Sequence, residues 1–234
     1  MKLNILRGTP GEAERWQEYD VEVGPDTTVL DALVEIQRAQ DATLALRYAC
    51  RVGMCGSCAM IVDGRERWAC RTRLSDLRRA RVTETRVTVR PLYHFPVLRD
   101  LVVDMAPLVA RTGRVGAALV PSPSRPTNDY WRIPAGSRER REIDEAIECI
   151  GCGMCVSACT MVAAHADFPG PAALNRAFTL QRDSRDAARE ARWEVLLSDA
   201  ALTRCHGQGN CTEVCPMELS PAQSIGRLRR EGTT

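Results

Sequence analysis

The spacing of the cysteines constrains this chain more tightly than any other feature. The eleven cysteines fall in three runs: Cys50-x4-Cys55-x2-Cys58 with Cys70 beyond, Cys149-x2-Cys152-x2-Cys155-x3-Cys159, and Cys205-x5-Cys211-x3-Cys215. The first has the spacing of a plant-type [2Fe–2S] loop, and the second that of a bacterial ferredoxin run. A chain wrapping a cluster closely needs glycine for unusual dihedrals and close backbone approach, and Gly53 and Gly56 stand where that is required. Cys50 and Cys55 are expected to hold one iron, with Cys58 and Cys70 on the other.

In a run of the second kind the fourth cysteine serves the other cluster of the pair. Cys149, Cys152 and Cys155 therefore need a distant partner, and Cys215, followed by Pro216, is expected to supply it for a [4Fe–4S] cluster. By the same crossing, Cys159 joins Cys205 and Cys211. Aligning the third run on the second puts Gln208 where a cysteine belongs. An amide is a poor substitute for a thiolate on iron, so three ligands predict a [3Fe–4S] cluster. Structural zinc, as in a zinc-stabilised adaptor, is the competing chemistry, but zinc takes separate four-ligand sets into which the second run does not divide. The odd cysteine count argues against a complete set of disulfides.

A chain of 234 residues accommodates two domains, and 44% apolar residues suffice for a buried core. The formal charge of +2, without a long basic block, gives no footing for nucleic acid. Arginine far outnumbers lysine, and arginines beside clusters would offset the charge of about −6 that eleven thiolates and three oxidised cores carry. No segment reaches the roughly 18 consecutive apolar residues of a membrane span. The longest candidate, Leu98 to Val120, is interrupted by Arg99, Asp100, Asp104, Pro107, Arg111 and Arg114. The opening MKLNILRG has no apolar leader core. A cytoplasmic-side protein with reduced thiols is expected, reaching membranes only through partners.

Residues 1–104 read as α+β and residues 105–234 as helical. Lys2–Arg7 and Trp16–Val23 alternate apolar and polar residues around the turn Gly8-Thr9-Pro10-Gly11. Asp26-Thr27-Thr28 is a helix start, followed by Leu30, Leu33, Val34 and Ile36 at helical spacing. Ala59–Val62 and Arg65–Ala69 flank Asp63-Gly64, a hairpin signal, and Val82–Val89 reads as the last strand. Two hairpins on a central helix predict a β-grasp ferredoxin domain, then an all-α bacterial-ferredoxin-like domain. There, Asp104–Arg114, Glu139–Glu148 and Asp183–Leu197 are expected helices, Val120–Pro134 a connector, and Arg182–Arg192 a solvated face.

The motifs resemble those of the iron–sulfur subunit of succinate dehydrogenase and fumarate reductase. Arg47-Tyr48-Ala49-Cys50-Arg51, Gly53-Met54-Cys55-Gly56-Ser57-Cys58-Ala59, Pro96–Asp104, Cys149-Ile150-Gly151-Cys152, Arg204-Cys205-His206 and Cys215-Pro216 carry the resemblance. It implies an FAD-containing flavoprotein subunit that interconverts succinate and fumarate, and hydrophobic membrane-anchor subunits that hold quinone. It implies three clusters relaying electrons between them, on the cytoplasmic face of the plasma membrane. His206 matches a quinone-side position, with donation to the neighbouring cluster as its other reading. Cys159 is followed by Thr160-Met161-Val162-Ala163-Ala164 instead of the family's proline, serine and later tryptophans, which points to a menaquinone-type or otherwise divergent anchor. The same departure keeps open a soluble or thiol-linked fumarate reductase, or another flavoprotein complex, that uses no quinone.

Overall fold

The computed structural model describes residues 1–79, 86–124 and 130–233. It divides into two compact units, Met1–Met105 with Ile150–Ser157, and Ala106–Cys149 with Ala158–Thr234.

The first unit opens with β1 (Lys2–Arg7), β2 (Arg15–Asp20) and α1 (Val29–Glu35), followed by β3 (Ala59–Val62), β4 (Arg65–Trp68), α2 (Leu74–Arg79) and β5 (Arg86–Arg90). The strands form one mixed sheet in the order β2-β1-β5-β3-β4. The two expected hairpins are joined through β1 and β5, which run parallel with Leu3 beside Val87. β2 stops at Asp20 rather than Val23: its partner strand begins at Lys2, and beyond it only Met1 pairs, exchanging hydrogen bonds with Val21. Of the expected last strand, residues 82–85 lie outside the described residues, and Arg86–Arg90 is the strand described.

Helix α1 starts at Thr28, whose hydroxyl accepts from the Asp31 N–H while the Asp31 carboxylate accepts from the Thr28 N–H. Such a reciprocal cap contributes about 1 kcal/mol. The apolar stripe of α1, including Val29, Leu30 and Leu33, is buried with Leu3, Ile5, Met60, Val87 and Val89 in one core. Asp63 and Gly64 turn the second hairpin with φ of 50° and 72°. The Asp63 carboxylate also accepts from the Thr88 N–H at 2.8 Å, tying the turn to β5.

A short hairpin, β6 (Val97–Arg99) and β7 (Val102–Val103), closes the sheet portion. It is anchored by Arg7, which is only 3% exposed and pairs with Asp41 at 2.6 Å and Asp100 at 2.9 Å. Asp100 accepts further from the N–H groups of Gly8 and Ala45, and the Tyr19 hydroxyl donates to Asp41 at 2.7 Å. One buried charge thus fastens β1, β2, the loop after α1 and the β6–β7 turn.

Beyond β7 come α3 (Ala106–Arg114) and α4 (Arg138–Ile143) of the second unit, before α5 (Met154–Ser157) returns to the first. The second unit continues with α6 (Thr160–Ala164), α7 (Gly170–Gln181), α8 (Arg189–Leu196), α9 (Asn210–Glu213) and α10 (Pro221–Gly232). Helix α7 is its core: Ala173, Leu174, Ala177, Phe178 and Leu180 are buried, and the helix packs on α3 and α10. The solvated face expected over Arg182–Arg192 is corrected at three positions, since Asp183, Asp186 and Arg192 are buried. Arg192 is 1% exposed and pairs with buried Asp186 at 2.9 Å, with Gln181 and the Gly116 carbonyl as further acceptors. The helix expected from Asp183 begins only at Arg189, because Asp186 folds back to accept from the Ala188 N–H and bridges to Pro121. No helix among the described residues is long and apolar enough to cross a membrane.

The Arg7 cluster gives two expected outcomes. Arg7→Met leaves two carboxylates facing each other in a buried site and lowers unfolding stability in urea by about 3 kcal/mol. Burial, then the bond to Asp41, pushes the Tyr19 hydroxyl up to about 12. Its folded value lies above the unfolded one of about 10, so its contribution is full below that pH and is lost as pH rises towards 12. Urea unfolding of Tyr19→Phe should show a flatter decline across that window than the unmodified protein.

Candidate iron–sulfur centres

The loop between α1 and β3 is shaped to surround sulfur. Cys50 Sγ accepts from the N–H groups of Met54, Cys55 and Val52 at 3.2, 3.3 and 3.5 Å. Three left-handed residues, Arg51, Gly53 and Gly56, turn the backbone so that its N–H groups point inwards. At Gly53 a Cβ would stand 3.0 Å from the Trp68 ring, so Trp68 serves as packing against the loop. Arg51 lies over the Tyr48 ring at 5.1 Å, and Arg47 donates to the Val103 carbonyl.

The thiols of this loop are held unequally. The Ser57 hydroxyl, helped by backbone N–H groups, pulls Cys55 down to about 6. Burial, reinforced by Cys70 and Cys55 nearby, pushes Cys58 up to about 12. A cationic core held by Cys50, Cys55, Cys58 and Cys70 would offset that inequality, and the inward N–H groups would suit its electron-rich sulfurs. Cys50, Cys55, Cys58 and Cys70 thus fit a [2Fe–2S] cluster.

The same unit brings in the middle of the second cysteine run. A Cβ on Gly56 would lie 2.6 Å from Cys152 Cβ and 3.1 Å from its Cα, so the first loop touches a cysteine of the second run. Gly153, at φ 82°, is packed under Phe95 and Met105. Ser157 Oγ donates to Glu66 at 2.7 Å and accepts from the Tyr93 N–H at 3.0 Å, which fixes the end of α5.

In the second unit, Cys149 follows a 3-10 turn, Ala146–Glu148. Buried Asn175 on α7 donates to the Ala146 carbonyl at 2.9 Å and accepts from Ser224 of α10 at 2.8 Å, holding that turn from inside. The Cys215 thiol is pushed up by burial, with repulsion from Cys149 adding to it.

Cys159, Cys205 and Cys211 line one cleft of about 400 Å³, with Thr160, Met161, His206 and Gln208 at its edge. Burial and then the two neighbouring thiols push Cys211 up to about 11, and burial likewise raises Cys159. Buried Arg111 interacts electrostatically with Cys159 and donates to the Phe168 carbonyl. Asn210 donates to the Ala158 carbonyl at 3.2 Å, joining the third run to the residue before Cys159. Three crowded thiols with a buried cation beside them suit an iron core that supplies further positive charge. His206 is exposed and lines the same cleft. Among the described residues no three Cys, His, Asp or Glu side chains converge as ligands of a single ion. Thiolates on a cluster bind different irons and need no such convergence.

Two contributors escape motif reading. Arg111 and Asn175 lie far from the cysteines in sequence, and neither stands out among its neighbours. Ser57 and Thr160 lie inside the quoted motif segments, but their hydrogen bonds do not show in the spacing.

A mixed-sheet ferredoxin unit and a helical unit with bacterial-type cysteine runs define an iron–sulfur electron carrier of two modules. Residues 2–110 match the family described as 2Fe-2S iron-sulfur cluster binding domain, and residues 145–219 that described as 4Fe-4S dicluster domain. The succinate dehydrogenase iron-sulfur subunit of Paracoccus denitrificans is 36% identical, over 97% of this chain and 86% of its own. The fumarate reductase iron-sulfur subunit of Mycobacterium tuberculosis is 34% identical, over 100% of this chain and 92% of its own. A chain of the Mycobacterium smegmatis Sdh1 complex in the apo form superposes with a TM-score of 0.88 at 29% identity, covering 99% of this chain and 95% of that one. The chain belongs to the family of succinate dehydrogenase and fumarate reductase iron–sulfur subunits, and its role is electron relay within that oxidoreductase.

Two substitutions test the first centre. Gly56→Ala forces the loop off Cys152 and should lower the iron content of the purified protein. Ser57→Ala removes a donor to Cys55; a bond differing by about 1 kcal/mol between oxidation states corresponds to about 40 mV. Redox titration should therefore show a [2Fe–2S] potential lower by tens of millivolts.

Proposed function

We propose that this chain carries electrons between an FAD-containing flavoprotein subunit and a quinone held by hydrophobic membrane-anchor subunits. It acts as a peripheral component on the cytoplasmic face of the plasma membrane. Cys50, Cys55, Cys58 and Cys70 hold [2Fe–2S]; Cys149, Cys152, Cys155 and Cys215 hold [4Fe–4S]; Cys159, Cys205 and Cys211 hold [3Fe–4S]. When bound, these clusters supply one-electron redox centres of different potential.

The observation that supports this reading is the cleft that Cys159, Cys205 and Cys211 line together with Gln208, which stands where the spacing of the run calls for a cysteine. A three-thiolate site suits an acceptor of higher potential at the quinone end, since it carries less negative charge than a four-thiolate one. The chain's own residues do the remaining work. Arg111 offsets thiolate charge beside Cys159, and Asn175 and Asn210 hold the backbone on which Cys149 and Cys159 are mounted. Val52 and Met54, 60% and 66% exposed beside Cys50, offer an apolar surface suited to the flavoprotein. At the cleft, exposed His206 is the group suited to hydrogen-bond quinone or pass it a proton. The described cleft residues include no tryptophan or tyrosine, in keeping with menaquinone rather than ubiquinone.

The test is paramagnetic resonance of the oxidised complex, purified with its flavoprotein and anchor. Oxidised [2Fe–2S] and [4Fe–4S] centres are diamagnetic, whereas a [3Fe–4S] centre has an odd electron. One near-isotropic signal that disappears on mild reduction is expected. Gln208→Cys should convert at least part of it to a [4Fe–4S] centre of lower potential and slow quinone reduction, with flavin chemistry intact. A silent oxidised complex with eight irons in its last two centres overturns the assignment at position 208.

A further inference from the structure

Gln208 does not hang free in its cleft. Thr160 Oγ1 donates to Gln208 Oε1 at 2.5 Å, and both residues line the cleft with Cys159, Cys205 and Cys211. Thr160 is the first residue of α6 and follows Cys159 directly, so its hydroxyl is carried on the backbone of a cysteine in the set. Gln208 sits between Gly207 and Gly209, both left-handed at φ 70° and 84°, which sets its backbone in a tight loop. Both side chains are exposed, so neither is held in place by packing. The bond between them fixes the amide.

A carboxamide offers one atom that ligates iron well, its oxygen; its nitrogen is a donor of hydrogen bonds. The oxygen is the atom that Thr160 engages. We propose that Thr160 is a positioning residue that holds the Gln208 oxygen away from the open corner, so that the site keeps three irons. The inference rests on the assignment of Cys159, Cys205 and Cys211 to a [3Fe–4S] cluster. Gaining a fourth iron is a balanced step: an oxidised [3Fe–4S] core of charge +1 takes one Fe²⁺ and one electron to give a [4Fe–4S] core of charge +2. The incoming iron needs an outer ligand. With its oxygen held by Thr160, the Gln208 amide must reorient before that atom can reach the open corner.

The experiment uses the purified complex, incubated anaerobically with ferrous iron and dithionite, desalted and mildly reoxidised. The fraction of the odd-electron signal lost is then measured against iron concentration. Thr160→Val, or Thr160→Ala if valine disturbs α6, should raise the conversion equilibrium about two- to five-fold, the factor matching a net hydrogen bond of about 0.5–1 kcal/mol. Thr160→Ser keeps the hydroxyl and should behave as the unmodified protein. Adding Gln208→Leu to the Thr160 variant removes the oxygen and should abolish the gain. Equal conversion in the unmodified and Thr160→Val complexes overturns the proposal. So does a gain that survives Gln208→Leu, because the effect would then not act through the amide. An unmodified oxidised complex without the signal overturns the cluster assignment instead, so the two failures are distinct.

Discussion

Burial holds the Cys58 thiol up to about 12 and the Cys211 thiol up to about 11, so neither ionises alone at neutral pH. Iron–sulfur clusters bind thiolates, so a cluster on either set would have to displace protons that burial retains, and metal loading would then be coupled to the native state. Many of the polar details around the sulfurs serve this exchange. N–H groups converge on Cys50, Ser57 supports Cys55, and Arg111 lies beside Cys159. At Cys159 the neighbouring cation favours negative charge on a sulfur where burial opposes it.

A second set of buried charges needs no metal. Arg7 with Asp41 and Asp100, and Arg192 with Asp186, are withdrawn from water in compact networks, one in each unit. Arg192 also reaches the Gly116 carbonyl, so a long loop is fastened to α8 by a single guanidinium. The arginine excess seen in the composition thus has two uses. Some arginines compensate thiolate charge, and others substitute directional ion pairs for apolar packing where loops must be held. The planar fork of guanidinium meets several acceptors at once, which lysine does not do.

What could be read from sequence divides along physical lines. The strands and turns of the first unit follow from period-two alternation and from Asp63-Gly64, and the cysteine spacings mark the runs, because both are local patterns. The β2 end was not local: it depends on where β1 begins. Helix α7 escapes periodicity because a helix buried on nearly every side has no polar face to mark its phase. Arg192 reads as solvated in a charged segment, and only the fold supplies Asp186 and two carbonyls to receive it. Asn175 illustrates the same limit at a candidate site. Its role depends on lying inside α7 opposite a turn nearly thirty residues earlier in the chain, as its bond to Ala146 records.

The contact of Gly56 with Cys152 bears on how the chain comes into being. The first sheet and its cysteine loop are complete in sequence by Met105, yet the unit to which they belong also includes Ile150–Ser157. On a ribosome adding about 5–20 residues per second, the emerging ferredoxin module waits several seconds for its last segment. During that interval the surface beside Gly56 is uncovered, and Glu66 and the Tyr93 N–H lack Ser157. The nascent chain therefore passes through a stage when the Gly56 side of its first cysteine loop has no Cys152 against it, and synthesis of the second run brings that stage to an end.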